Sequence, residues 1–241
     1  MTVKFSFDQP GRCDICEKDV IFHSDFKWFR DHLLCPVCHS VPRERALMRV
    51  IDLYMPDYAK KTIHESSPGG RGVSVKLGRK CRGYTYSHFF PDVPLGTVHR
   101  QRGERCESLE ALSFPDDSFD LFITQDVMEH IFEPEIAFRE IARVLKPGGM
   151  HILTVPLVNK CKTSVRRANR DADGSIVHLT EPAYHGNPID EKGSLVTMDW
   201  GYDIVRFIRK QSGMSVHMIT IDEIERGIQA EYIEVLVCTK P

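Results

Sequence analysis

Residues Phe119-Asp-Leu-Phe-Ile-Thr-Gln-Asp-Val-Met-Glu-His130 decide the fold. An apolar run stops abruptly in polar side chains, which is the pattern of a buried strand whose carboxyl end opens on a loop. Downstream, Phe138, Ile141 and Leu145 recur at helical spacing and predict a core-facing helix over 135–145. Pro147-Gly148-Gly149 reads as a turn entering a strand over 150–155. Upstream the same alternation predicts a strand over 61–65, a helix over 71–80 and a strand over 82–87. Such a succession builds an open, mostly parallel α/β sheet.

The amino-terminal segment follows different rules. Cys13-Asp-Ile-Cys16 and Cys35-Pro-Val-Cys38 are two Cys-x-x-Cys pairs separated by eighteen residues. Each pair curls two thiolates toward one point, and two such turns supply the corners of a tetrahedron, so the spacing predicts a zinc site formed by Cys13, Cys16, Cys35 and Cys38. A disulfide pair and a redox dithiol are the competing readings, and His32 or His39 could replace one cysteine in a Cys3His set. Four thiolates leave no position for water, so this zinc is expected to be structural and to supply much of the folding free energy of residues 1–42. On that basis chelation unfolds residues 1–42 first. Pro42 to Tyr54 reads as a helix with Leu47, Val50, Ile51 and Tyr54 on one face. The expected organisation is a zinc module over 1–42, a linking helix over 43–56 and a larger domain over 57–241.

Composition bounds the partners. The chain has 241 residues, 41% hydrophobic, with a formal net charge of −2. Residues 1–60 hold nine Lys/Arg and nine Asp/Glu. That balance argues against reading the cysteine module as a nucleic-acid finger, because phosphate binding rests on excess positive charge. No apolar run is long enough for a membrane span, and the first residues lack a secretory h-region, so a cytoplasmic location with reduced thiols is expected.

In an open α/β sheet the ligand sits beyond the carboxyl ends of the strands. Three loops there carry signals: the Gly-rich Ile63-His-Glu-Ser-Ser-Pro-Gly-Gly-Arg-Gly72, the polar run Cys106-Glu-Ser-Leu-Glu110 leading to Phe114-Pro-Asp-Asp-Ser-Phe-Asp120, and Thr124-Gln-Asp126. With these in order before Glu129-His130 and Leu145-Lys-Pro-Gly-Gly149, the chain resembles the class I S-adenosylmethionine-dependent methyltransferases of the small-molecule group, over roughly residues 61–155. The resemblance implies a Rossmann-like seven-stranded sheet with helices on both faces, whose last strand is antiparallel, with segments 214–221 and 232–239 as strands six and seven. It implies S-adenosylmethionine as cofactor, with Glu65, Ser67, Gly69 and Gly70 at its methionine end. Ser67 replaces the family's first glycine, Arg71 its third, and Gly72 comes one step late. The acidic residue that holds the ribose is missing, leaving Tyr86, Ser87 or His88 to substitute. Glu107, Ser108 and Leu109 match the adenine position, and Thr124 and Gln125 the strand end beside the methyl donor.

Residues 156–200 form an insertion far longer than an ordinary connection, which predicts an acceptor-binding lid. Its first half holds five basic residues, and its second half offers Tyr184, His185, Asn187 and Asp190 as polar heads. His130 and His185 are the candidate bases, because imidazole titrates near neutral pH, and Asp126 is a candidate for orienting the acceptor or the base. A polar small molecule or sugar is the expected acceptor. The alternatives are RNA, with Arg166, Arg167 and Arg170 on phosphate, and a noncatalytic binding protein that has lost the cofactor.

Overall fold

The computed structural model describes residues 4–186 and 192–241. Two antiparallel strands open the chain, β1 (Phe7–Cys13) and β2 (Lys18–Ser24), followed by a single helical turn, α1 (Phe29–His32), and the helix α2 (Pro42–Tyr54). The alternating part then runs β3 (Thr62–Ser66), α3 (Gly72–Lys80), β4 (Gly83–His88), β5 (Arg105–Cys106), β6 (Phe119–Gln125), α4 (Pro134–Val144) and β7 (Leu145–Thr154). The insertion carries three two-stranded ladders, built from β8 (Val165–Arg166), β9 (Ala168–Arg170), β10 (Ile176–His178), β11 (Tyr184–His185), β12 (Ser194–Leu195) and β13 (Met198–Asp199). The chain closes with α5 (Ile204–Ser212), β14 (Ser215–Ile219) and β15 (Val235–Thr239).

The central sheet has seven strands in the order β14-β15-β7-β6-β3-β4-β5. β3 pairs parallel with both β4 and β6, and β15 runs antiparallel between β7 and β14. The order therefore reverses at β3 and β6, the place where such sheets leave a crevice. The elements expected from sequence fall within a few residues of their observed bounds. β7 starts earlier than expected, because Phe119 pairs with Leu145 while Leu121 pairs with Met150. Lys146 to Gly149 are thus looped out of the ladder, with Gly148 at φ +75°. The β1–β2 hairpin and the short β5 escape the sequence reading, since neither shows a run of alternating apolar residues long enough to stand out.

Strand periodicity sorts the core into two halves. Ile63, Leu121, Ile123, Ile152, Val235 and Val237 join one cluster with α2, α3 and the cysteine module. Phe122, Leu153, Leu236 and Cys238 join the other with α4, α5 and Trp200 from the end of the insertion. Cys13, Phe22, Leu33 and Cys35 are fully buried in the first cluster, so residues 1–42 bury their apolar face on the same layer as α2. At this junction Arg45 is fully buried, with its guanidinium 4.5 Å from the centre of the Phe22 ring. Gly227 closes over both at φ +65°, where a Cβ would lie 2.8 Å from the Phe22 ring and 2.9 Å from Arg45 Nε.

Two histidines are built into the sheet in their neutral form. His64 is enclosed by Phe114, Phe119 and Phe122, with its ring nitrogens 2.9 Å from Thr85 Oγ1 and Ser87 Oγ. His151 lies 3.0 Å from Thr124 Oγ1. Burial pulls both pKa values down to about 3, with Arg105 adding to the effect on His64. Folded, both stay neutral; unfolded, both take up a proton near pH 6.5. Their contribution is therefore complete above pH ~6.5 and is lost as the pH falls toward about 3. The unfolding free energy from urea denaturation is expected to drop steadily below pH ~6.5, with a slope approaching ~2.7 kcal/mol per pH unit for the pair, and the midpoint with it. A midpoint that stays level down to pH ~5 would contradict this placement of the two rings.

Candidate functional site

The four amino-terminal sulfurs converge. Cys13 Sγ lies 3.6 Å from Cys38 Sγ, Cys16 Sγ lies 3.8 Å from Cys35 Sγ, and all four fall within 4.8 Å of one another. A tetrahedron with metal–sulfur bonds of about 2.3 Å has edges of about 3.8 Å, so the donor set fits a tetrathiolate ion. All eight cysteines are free thiols, which removes the disulfide reading. Neither His32 nor His39 belongs to the cluster.

The first turn of α2 links this cluster to the sheet's carboxyl edge through three consecutive residues. Arg45 donates to the carbonyls of Leu33 and Ser40 in the cysteine module and of Gly227 near the carboxyl terminus. Glu44 accepts from the Val41 amide at 3.0 Å and from Arg71 Nε at 2.9 Å. A Cβ at Gly72, φ +57°, would lie 2.5 Å from Glu44 Oε2, so the displaced glycine of the loop makes room for α2. Arg43 reaches Asp126 at 2.9 Å, where Arg30 of α1 also binds at 2.7 Å. Burial works to raise the Asp126 pKa, but the two guanidiniums and the Thr154 hydroxyl overcome it and hold the carboxyl below its usual range. A carboxylate so held is a poor proton acceptor, and Asp126 anchors Arg30 and Arg43.

A cleft of ≈ 520 Å³ opens at the carboxyl ends of β3, β4 and β6, where the strand order reverses. Of the residues expected at a cofactor, Ser67, Gly69, His88, Glu107, Ser108, Leu109 and Gln125 line it, as do Asp126 and His130. A Cβ added at Gly69 or Gly70 would meet nothing within 4 Å, so the loop stands open against the cleft. Leu109, Phe89, Val127, Ile131 and Phe132 give apolar walls. The pKa of His88 is lowered by burial, which leaves a neutral imidazole at the end of β4.

Other expected residues lie elsewhere. Glu65 is fully buried beneath the loop and does not line the cleft; it accepts from Ser74 Oγ at 2.8 Å, Tyr84 Oη at 2.6 Å and Gln125 Nε2 at 2.6 Å. Burial raises its pKa against the pull of these three donors. Ser87 and Thr124 point into the sheet's interior toward His64 and His151, the strand alternation having turned them away from the edge. Tyr86 and Gly70 border an adjoining hollow with Arg102 and Glu104. The Glu107 side chain, although at the cleft, is occupied by Arg105 and Ser113. Sequence reasoning missed Arg43, Glu44 and Phe89, which line the cleft together with Arg71, Glu110 and Arg170. The charged signal in Pro42-Arg-Glu-Arg was present, but only the fold brings α2 to this edge.

On the far wall the insertion meets the loop after β6. Thr197 donates its amide to Glu129 O at 2.8 Å, and Trp200 Nε1 donates to Met128 O at 3.2 Å. His130 Nδ1 lies 2.9 Å from Leu195 O, and the rings of His130 and His185 meet edge to face at 5.2 Å. The Glu129 carboxylate lies beneath both rings, and its proximity raises the His185 pKa. Asn187 and Asp190 lie outside the described residues. Arg166, Arg167 and Arg170 are each engaged by a carboxylate, from Glu135, Asp199 and Glu110 respectively.

Comparison with known proteins agrees with this architecture. Residues 91–153 match the family described as methyltransferase domain. Phosphoethanolamine N-methyltransferase 2 of Caenorhabditis elegans is 31% identical over 91 residues, covering 36% of this chain and 21% of that protein. The chain spans about a fifth of the length of the curated relatives it matches. Among solved structures, the methyltransferase in complex with the Trm112 methyltransferase activator of Haloferax volcanii is 17% identical, with a TM-score of 0.52 over 83% of this chain and 90% of that one. The amino pentose methyltransferase CalS10 of Micromonospora echinaspora is 13% identical, with a TM-score of 0.51 over 83% of this chain and 92% of that one. The fold is therefore the Rossmann-like fold of S-adenosylmethionine-dependent methyltransferases.

Glu65 holds three donors together, and Glu65→Ala removes that acceptor from all of them, leaving only the long Gln125 Nε2–Ser74 Oγ contact at 3.4 Å among the three. Urea denaturation is expected to show a loss of about 2–3 kcal/mol, at ~1 kcal/mol for each lost hydrogen bond. An unchanged midpoint accompanied by weakened cofactor binding would instead restore a direct contact between Glu65 and the cofactor.

Proposed function

We propose that this chain transfers a methyl group from S-adenosylmethionine to a polar small-molecule or sugar acceptor. The observation that carries the reading is the cleft at the reversal of strand order, lined by the three loops that the sequence marks out, with Gly69 open on its wall. When bound, the cofactor supplies a sulfonium-activated methyl group. Ser67 and the turn at Gly69 would hold the amino-acid end, where a glycine lets the backbone approach closely. His88 would hydrogen-bond the ribose as a neutral imidazole, in place of the missing carboxylate. Leu109, Phe89 and Phe132 would enclose the adenine ring.

The remaining work is positioning. Transfer requires the acceptor atom in line with the methyl, and fixing that geometry accounts for much of the acceleration in reactions of this type. The far wall of Glu129, His130 and His185 would orient the acceptor and take up its proton where it has one. The four-cysteine cluster would hold a structural zinc that fixes α1 and α2, and through Arg30 and Arg43 the loop at Asp126. The carboxylates already bound to Arg166, Arg167 and Arg170 weigh against phosphate recognition by this insertion, since an occupied guanidinium adds little counterion release.

Calorimetric titration with S-adenosylmethionine and S-adenosylhomocysteine tests the reading, and micromolar binding of both is the expected result. Gly69→Val places its side chain in open space, so the fold is expected to survive while affinity falls at least ~10-fold, or about 1.4 kcal/mol. Failure of the unsubstituted protein to bind either compound at millimolar concentration would overturn the proposal in favour of a noncatalytic binding role.

A further inference from the structure

The most unusual charge in the molecule is Glu129. Its side chain is 1% exposed, yet neither carboxylate oxygen has a hydrogen-bond partner. A buried carboxylate left this way costs several kcal/mol unless a cation compensates it. Glu129 Oε1 lies 3.7 Å from His130 Nε2 and 3.6 Å from His185 Nδ1. These separations are too long for hydrogen bonds. They lie at or just beyond the ligand–ligand edges of about 3.4–3.6 Å in a tetrahedron with metal–ligand bonds of about 2.1–2.2 Å, the range for imidazole and carboxylate on a divalent transition ion, so a small inward shift of the side chains would close the set on an ion.

Tautomer supports the same assignment. His130 Nδ1 faces the Leu195 carbonyl at 2.9 Å, so that nitrogen carries the proton and Nε2 presents its lone pair toward Glu129. A lone pair and a carboxylate facing each other repel, and a metal ion seated between them relieves that repulsion while binding both. The backbone carbonyl that fixes the ring is the outer contact commonly found behind a metal-bound histidine. We infer that Glu129, His130 and His185 form a second metal site, separate from the four-cysteine cluster, which takes a divalent transition ion with a preference for nitrogen and oxygen ligands.

The two sites differ in what they leave open. Four thiolates close a coordination shell, whereas two imidazoles and one carboxylate leave a position for an exogenous ligand. Glu129 is enclosed by protein while His130 lines the cleft, so the fourth position falls on the cleft side. There the ion would bind an oxygen of the acceptor and lower the pKa of its hydroxyl. This last step rests on the methyl-transfer reading; the metal site itself does not. Its donors come from the loop after β6 and from β11, so the ion would also pin the insertion over the cleft.

Metal content measured after equilibrium dialysis of the full chain against micromolar Zn2+ tests the site without reference to activity. The reading is the difference between unsubstituted protein and variants, which cancels any zinc held by the cysteines. One equivalent fewer is expected in Glu129→Gln and in His185→Asn. His185 is half-exposed, so its variant keeps the fold, as a melting curve would check. Co2+ in the same site is expected to give weak ligand-field absorption without a thiolate charge-transfer band. Equal metal content in the unsubstituted protein and both variants would overturn the site, as would loss in Glu129→Gln with full retention in His185→Asn. Binding of S-adenosylhomocysteine without the extra equivalent would overturn the metal site and leave the methyl-transfer reading standing.

Discussion

A buried guanidinium holds this molecule together. Arg45 has lost its water entirely, and burial pulls its pKa down to about 10. Desolvating such a group costs several kcal/mol, and the cost is offset only if its N–H groups find acceptors of good geometry. They find three carbonyls, Leu33 and Ser40 in the preceding cysteine module and Gly227 from the far end of the chain, while the Phe22 ring covers the remaining face. The rotation of α2 about its axis is thereby fixed. Arg43 and Glu44, on the same turn, are then directed to Asp126 and Arg71 at the rim of the cleft.

From this follows a different view of the cysteine module than its spacing suggests. Cys-x-x-Cys pairs describe a small unit that folds around its own metal, joined by a helix to something larger. In the folded chain the hairpin, α1 and α2 share one apolar cluster with the sheet, and α1 contributes Arg30 to the same carboxylate that Arg43 binds. The irregular glycine loop has the same origin. Gly72 is placed where the Glu44 carboxylate needs room, so the loop's departure from the methyltransferase glycine pattern it resembles reflects the packing of α2 beneath it.

How far the sequence reaches is set by what pattern can encode. The apolar run Leu121-Phe-Ile123 and the periodic Phe138, Ile141 and Leu145 are determined by burial, and burial periodicity survives into the structure. The site is read less fully because a strand's carboxyl end is a place, whereas its two faces are a parity. Gln125 and Thr124 are neighbours at that end, yet one lines the cleft and the other bonds a buried histidine. Ser87 and His88 divide in the same way. Glu65 was expected at the edge because carboxylates seldom serve packing, but three donors from β4, α3 and β6 make an enclosed position stable. Glu129 could not be singled out from sequence, since its partner His185 lies far along the chain and is brought to it by the insertion.

Hydrogen exchange compared between the unsubstituted protein and a Cys13→Ser variant tests the central proposal most directly, namely that residues 1–42 and the cleft form one cooperative unit. Breaking the four-cysteine set is expected to release amide protection in the hairpin and, in parallel, in residues 66–72 and 125–131, which Glu44, Arg43 and Arg30 contact. Loss of protection confined to residues 1–42, with the cleft loops unchanged, would contradict that claim and return the amino-terminal segment to an independent module.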